Sequence, residues 1–234
     1  MNAEAVRATL ESVRERIARA RERGGRPDPV EIVAVTKTHG FDVIDAALAA
    51  GLRRLGENRV QELAEKVARF EADGRTGAAE WHLIGHLQRN KVRQAVPLFD
   101  LIHSIDSERL AGELSKEGER VGRDVVGLVQ VNTSGEEAKH GFSYDEAVDA
   151  VGRIAALPRV SVVGLMTMAP FTDDERMLRT TFSRARELFD RCASLDGFDA
   201  RHLSMGMSND YELAVEEGST MVRLGTVLFG ERQR

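Results

Sequence analysis

The sequence predicts one α/β domain over residues 1–234: a (β/α)8 barrel, with residues 1–25 forming an N-terminal helix packed on it. Three observations predict it. Short β-branched or apolar runs alternate with amphipathic stretches from residue 31 onward. The run VVGLVQV (125–131) is apolar through its centre, as a strand buried on both faces of a parallel sheet must be. The length of 234 residues suits a single barrel.

The elements follow in order. Val6, Leu10, Val13 and Ile17 recur at helical spacing, and Gly24-Gly25 with Pro27 and Pro29 end that helix. The predicted strands are 31–36, 53–56, 81–84, 101–104, 125–131, 160–166, 202–205 and 221–224. Helical stripes lie between them: Val60, Leu63, Val67 and Phe70; Ala147, Val148, Val151 and Ile154; Leu178, Phe182, Ala185, Phe189 and Cys192. Cys192 reads as a core residue, since free cysteine is commonly buried. An open doubly wound sheet would need a Gly-rich loop after the first strand. KTHGF (37–41) stands there instead.

Composition narrows the function. Net charge is −5, which argues against nucleic acid or an acidic membrane as partner, because both need a basic footprint. The single cysteine points to a reducing compartment. The first 25 residues lack the continuous apolar stretch of a signal peptide, so a cytoplasmic protein is expected. Arginine is the default cation, and the lysines are Lys37, Lys66, Lys91, Lys116 and Lys139. Lys66 and Lys116, on predicted helices, read as lysines retained by chance.

In a barrel, chemistry collects at the C-terminal ends of the strands. There the sequence places Lys37-Thr38-His39, Glu57-Asn58, Gly85-His86, His103-Ser104, Asn132, Thr167-Met168, residues 204–208, and Arg223 with Gly225-Thr226. A lysine ending an apolar strand loses solvation, which favours the neutral amine that imine formation needs. The bland alternative is a lysine that snorkels out at the rim, and spacing alone leaves both open. Gly206 and Ser208 precede a helix expected near Asn209, and Gly225-Thr226 follow the last strand. Hydroxyls and free amides in the last two loops of a barrel suit a phosphate. His82 and His86 are four apart, but the strand-like WHLI between them argues against a zinc pair on one helical face. His82 reads as a barrel-interior group. Met166, Met168, Met205 and Met207 read as packing or as the lining of a flat ring.

AVTKTHG (34–40), GENRVQE (56–62), WHLIGHLQRNK (81–91), VQVN (129–132), KHGF (139–142), GLMTM (164–168), SMGMSND (204–210) and GSTMVRLGTVLFG (218–230) run from the first strand to the last. Through these segments the chain resembles the pyridoxal phosphate homeostasis proteins, the alanine-racemase N-terminal-domain-like family. The resemblance implies pyridoxal 5′-phosphate (PLP) as an internal aldimine on Lys37, with Asn58 beside the ring. Ser208, Gly225 and Thr226 would hold the phosphate, and Arg223 would face the pyridine nitrogen. It implies a role in vitamin B6 homeostasis without an established reaction, no metal, and PLP-dependent apo-enzymes as candidate recipients. A monomer is expected. His39 departs from the family, where a second lysine is common at that position, which puts any accessory role of that lysine in doubt here. An arginine at the pyridine nitrogen disfavours ring protonation and so limits carbanion chemistry. Related racemases draw a second base from a second domain, which this reading does not find after residue 224. The alternatives are a racemase-like enzyme completed by a partner chain, a cofactor-free Schiff-base aldolase that uses Lys37, and a degenerate interaction barrel.

Overall fold

Parallel pairing closes the sheet on itself in the computed structural model, which describes residues 2–136 and 140–231. Strands β1 (Glu31–Val35), β2 (Arg54–Glu57), β3 (Glu80–Leu83), β4 (Leu101–Ile105) and β5 (Val125–Asn132) run in spatial order. A two-residue strand β6 (Phe142–Ser143) pairs with the end of β5 outside the barrel circuit. β7 (Val160–Met166), β8 (Phe198–Met207) and β9 (Met221–Leu224) complete the ring, and β9 pairs with β1. All eight predicted barrel strands are present.

The helices between them are α2 (Phe41–Ala49), α3 (Val60–Ala72), α5 (Glu108–Val121), α6 (Ala147–Ala155) and α7 (Glu175–Cys192), with shorter α8 (Tyr211–Glu216) and α9 (Thr226–Phe229). Only a 3-10 turn (Arg89–Lys91) and the one-turn α4 (Val92–Ala95) separate β3 from β4. Each predicted apolar stripe faces inward on α3, α6 and α7, although Val67 and Val148 are only half-buried. Cys192 is buried, as expected, and burial raises its thiol to about 11.

Three expectations need correction. The strand predicted at 202–205 runs from Phe198 to Met207. Its first half, Asp199 to Arg201, is exposed and polar, and it carries no apolar alternation to betray it. The helix expected near Asn209 begins at Tyr211, because Asp210 turns back to accept the Met207 amide at 2.6 Å. Lys66 is no chance retention: it lies buried on α3 with three hydrogen bonds. Lys139 lies outside the described residues.

The strands present two faces. Outward, Ala34, Leu55, Leu83 and Leu203 join the main core under the helices. Inward, a smaller cluster that includes Val33, Leu101, Leu128 and Met221 fills the barrel. His103 and Arg223 sit two residues beyond Leu101 and Met221, so they share this inner face.

Helix α1 (Ala3–Gly24) is capped by Asn2, whose side chain accepts the Ala5 amide at 2.9 Å. Its stripe Val6, Leu10, Val13, Ile17 and Ala20 is buried. Gly24 allows the close approach to α8: a Cβ there would fall 2.3 Å from the Glu216 carbonyl oxygen. Charge completes the joint. Arg16 pairs with Glu212, while Arg23 and, from α7, Arg179 each reach Glu216 at 2.6 Å. Burial pushes the Glu216 carboxyl up, but the two guanidiniums hold it net below its ordinary 4.5.

A carboxylate depressed in the folded state contributes stability above its unfolded pKa and loses it as pH falls through the folded value. Glu216→Gln should therefore lower the melting temperature at pH 7 by about 2–4 °C. The gap to wild type should close as pH drops below about 4.5, the ordinary value. Melting curves across pH check this; a gap that stays constant into acid would contradict it.

Candidate functional site

The C-terminal ends of the strands surround a cavity of about 540 Å3, a size suited to a small molecule. Lys37, Asn58, Ser208, Arg223, Gly225 and Thr226 all line it. The structure thus brings together all six residues that the resemblance assigns to PLP, whereas Gly206, also read as part of the phosphate site, does not line the cavity. His39 also lines the cavity and packs edge-on against Phe229, with ring centroids 5.4 Å apart. Met168 and Met207 are on the wall, whereas Met166 and Met205 are core. Asn132 is off the wall; its β5 neighbour Gln130 is on it.

Lys37 is half-buried at the end of β1. The backbone around it is held by a polar knot that the sequence reading missed. The Lys66 ammonium donates to the Thr36 carbonyl at 3.0 Å, to Glu57 at 2.7 Å and to Glu62 at 2.8 Å. Thr36 Oγ1 donates to the same Glu57 oxygen at 2.6 Å, and the Thr38 amide donates to Glu62. Both neighbours of Lys37 are therefore tied to one buried cation. Thr38 adopts φ 63°, a left-handed conformation costly for a β-branched residue, and its bond to Glu62 holds it there. Burial pushes the Glu57 carboxyl up against the pull of Lys66. Burial also acts upward on Glu62, but Lys66 and the Thr38 amide bring it net below the ordinary value. The available signal was Glu57, Glu62 and Lys66 at spacings five and four, with the last two on one helical face.

Next to Lys37, where β9 pairs with β1, Ser208 Oγ accepts the amides of Gly225 and Val227, both at 3.3 Å. With its lone pairs used, the hydroxyl proton is left to donate. The Gly225 amide is spent on that bond, so the Ser208 hydroxyl and Thr226 supply the donors of a small cluster of the kind that holds an anion.

Arg223 is buried in the barrel and closes the cavity floor. Its Nη2 donates to the Thr167 carbonyl at 2.9 Å and its Nη1 to Ser204 Oγ at 2.6 Å. From Ser204 a chain continues to His103 Nδ1 (3.0 Å), from His103 Nε2 to His82 Nδ1 (2.9 Å), and from His82 Nε2 to Glu80 (3.0 Å). Arg223 only donates and the Glu80 carboxylate only accepts, so a run in which Ser204 donates to His103, His103 to His82 and His82 to Glu80 satisfies both ends. Burial, with the nearby Arg223 charge, holds His103 well below the ordinary histidine value, so it stays neutral. Burial lowers Arg223 to about 10, which leaves it charged at neutral pH. The barrel-interior expectation for His82 is met.

A parallel barrel whose strand ends gather a lysine, a small cluster of hydrogen-bond donors and a buried arginine around one cavity defines a small-molecule-binding barrel. Comparison with known proteins sharpens this. Residues 8–233 match the family model described as alanine racemase, N-terminal domain. The pyridoxal phosphate homeostasis protein of Aquifex aeolicus is 41% identical over 228 residues, 96% of this chain and 97% of the relative. The crystal structure of an unknown protein from Bifidobacterium adolescentis superposes with TM-score 0.87 at 39% identity, covering 97% and 95% of the two chains. PipY of Synechococcus elongatus with PLP bound gives TM-score 0.82 at 35% identity, over 96% and 100%. The chain belongs to the alanine racemase N-terminal domain family and, within it, to the pyridoxal phosphate homeostasis proteins.

The Lys66 knot gives a direct test. Lys66→Met leaves two carboxylates facing each other without their cation, and should cost about 3 kcal/mol or more in urea unfolding. Adding Glu57→Gln should recover part of that loss. Equal stability of Lys66→Met and wild type would show that the knot is not a structural tie.

Proposed function

We propose that the protein binds PLP at this cavity, with Lys37 as its covalent attachment point, and acts in intracellular PLP homeostasis and not as a dedicated enzyme. The observation that carries the reading is the gathering of Lys37 with Ser208, Gly225 and Thr226 on the wall of one cavity, where β1 and β9, the strands that lead to Lys37 and Gly225, are sheet neighbours. The donor set fits the group. The Ser208 hydroxyl, whose proton is left to donate, and the Gly225-Thr226 segment would hold the phosphate. Arg223 would face the pyridine nitrogen, with Asn58 beside the ring. When bound, PLP supplies an aldehyde for condensation with an amine and an electron-withdrawing ring.

The chain's own residues then set the limits of the chemistry. Arg223 carries its proton at neutral pH and donates, so it offers the pyridine nitrogen no base to share a proton with. The two tyrosines, Tyr144 and Tyr211, stand off the cavity wall, and neither is placed as an opposing base. Tyr144 lies under the guanidinium of Arg184 at 4.4 Å, and Tyr211 under that of Arg16 at 5.4 Å. The same reading takes PLP-dependent apo-enzymes as recipients, a monomer as the working form and the cytoplasm as its place.

The purified protein should be yellow, and borohydride should fix the cofactor on Lys37 by peptide mass. Lys37→Ala should be colourless. Ser208→Ala should bind PLP about tenfold more weakly, the scale of one lost hydrogen bond to a charged group. A wild type that takes up no PLP refutes the reading. Robust racemisation of an amino acid would replace the homeostasis role with an enzymatic one.

A further inference from the structure

Beside the cavity mouth, three metal-ligand side chains meet that the PLP reading does not use. His86 follows β3, Asp106 follows β4, and His140 lies between β5 and β6. Strands β3, β4 and β5 are consecutive neighbours in the sheet. Asp106 Oδ2 stands 2.8 Å from His86 Nδ1 and 3.9 Å from His140 Nδ1. One ligand atom from each residue lies within 4.8 Å of the other two. In a tetrahedral site with metal–ligand bonds of about 2.0–2.1 Å, ligand atoms stand about 3.3–3.4 Å apart. The cluster brackets that spacing before any ion draws it together.

We propose that His86, Asp106 and His140 form a binding site for a divalent transition-metal ion of the zinc class at the rim of the cavity. The donor set suits it: two imidazoles and one carboxylate favour Zn2+, Co2+ or Ni2+ over the all-oxygen ions Mg2+ and Ca2+.

The backbone under each ligand is built. Ser104 Oγ donates to the Gly85 carbonyl at 2.7 Å, one residue before His86. Buried Gln130 donates to the His140 carbonyl at 3.1 Å. Gly141, at φ 112°, lets that loop lie against β5, since a Cβ there would meet the Gln130 carbonyl oxygen at 2.8 Å. The Asp106 carboxylate is 9% exposed and accepts from Ser107. One adjustment is needed. The two imidazoles stack at 4.5 Å with planes 16° apart, so an ion in the plane of one ring lies outside the plane of the other. The His140 side chain is 64% exposed and has room to turn its nitrogen onto the ion.

Three protein ligands leave a tetrahedral ion one open position, as in metal sites that take a further ligand. His86 and His140 both line the cavity, so that position faces its mouth. Water, or a carboxylate oxygen of a small molecule in the cavity, completes the sphere.

Zinc titration of the full-length protein by calorimetry tests this, with Co2+ absorption as a geometric readout. The expected result is one Zn2+ per chain and tetrahedral Co2+ bands. Binding should weaken about tenfold or more in His140→Ala and in the near-isosteric Asp106→Asn, and vanish in His86→Ala/His140→Ala. Metal-free melting curves that match wild type establish that the variants fold. Absence of binding to wild type overturns the proposal. So does a stoichiometric site that survives in the double variant, which would put the ion on the cofactor or on other carboxylates.

Discussion

A full positive charge sits inside the barrel at Arg223, and the inner face of the strands is arranged around the need to satisfy it. An unpaired guanidinium in that position would cost several kcal/mol. The strands meet the need with a carbonyl from the end of β7 and a hydroxyl from β8. With Arg223 a donor at one end and the Glu80 carboxylate an acceptor at the other, one run of donors through Ser204, His103 and His82 satisfies every member. Glu80 reaches solvent. The line therefore runs from the cavity floor to the opposite end of the barrel. Such a line is stiff: removing any one member leaves its neighbours without a partner.

A second buried cation, Lys66, shapes the other wall. It touches nothing in the cavity. It pins the residues on either side of Lys37, and it does so from α3 with the help of Glu57 on β2 and Glu62 on α3. The two lysines divide the work. One is buried and fully engaged, and it holds the loop still; the other is half-buried at the cavity edge. Glu57 shows the strain in this arrangement. One of its oxygens is shared by Lys66 and Thr36, while Oε2 is buried with no hydrogen-bond partner among the described residues.

Much of this was legible in the sequence. The alternation of apolar runs placed all eight barrel strands, because a parallel strand buried on both faces has a signature that survives without tertiary information. The strand ends then named the cavity lining. Polar pairings across the fold were harder to read. Lys66 reads as a chance lysine because helical spacing shows which face a residue occupies, not how deep that face is sunk or what it meets there. The first half of β8 was missed because it is polar and exposed, and its pairing with β7 makes it a strand. The rim cluster of His86, Asp106 and His140 spans 54 residues of sequence, and only strand adjacency gathers it.

The α1–α8 joint and the β1–β9 pairing have a consequence for how the chain is made. Both connect the earliest elements to nearly the last. During synthesis from the N-terminus, the buried stripe of α1 and the open edge of β1 must wait until residues 211–224 have emerged. Contacts of such long sequence separation are slow to form, and uncovered apolar stripes and strand edges are where nascent chains associate wrongly. Closure of the barrel is thus the final event in the birth of the molecule, and the ligand cavity comes into being with it.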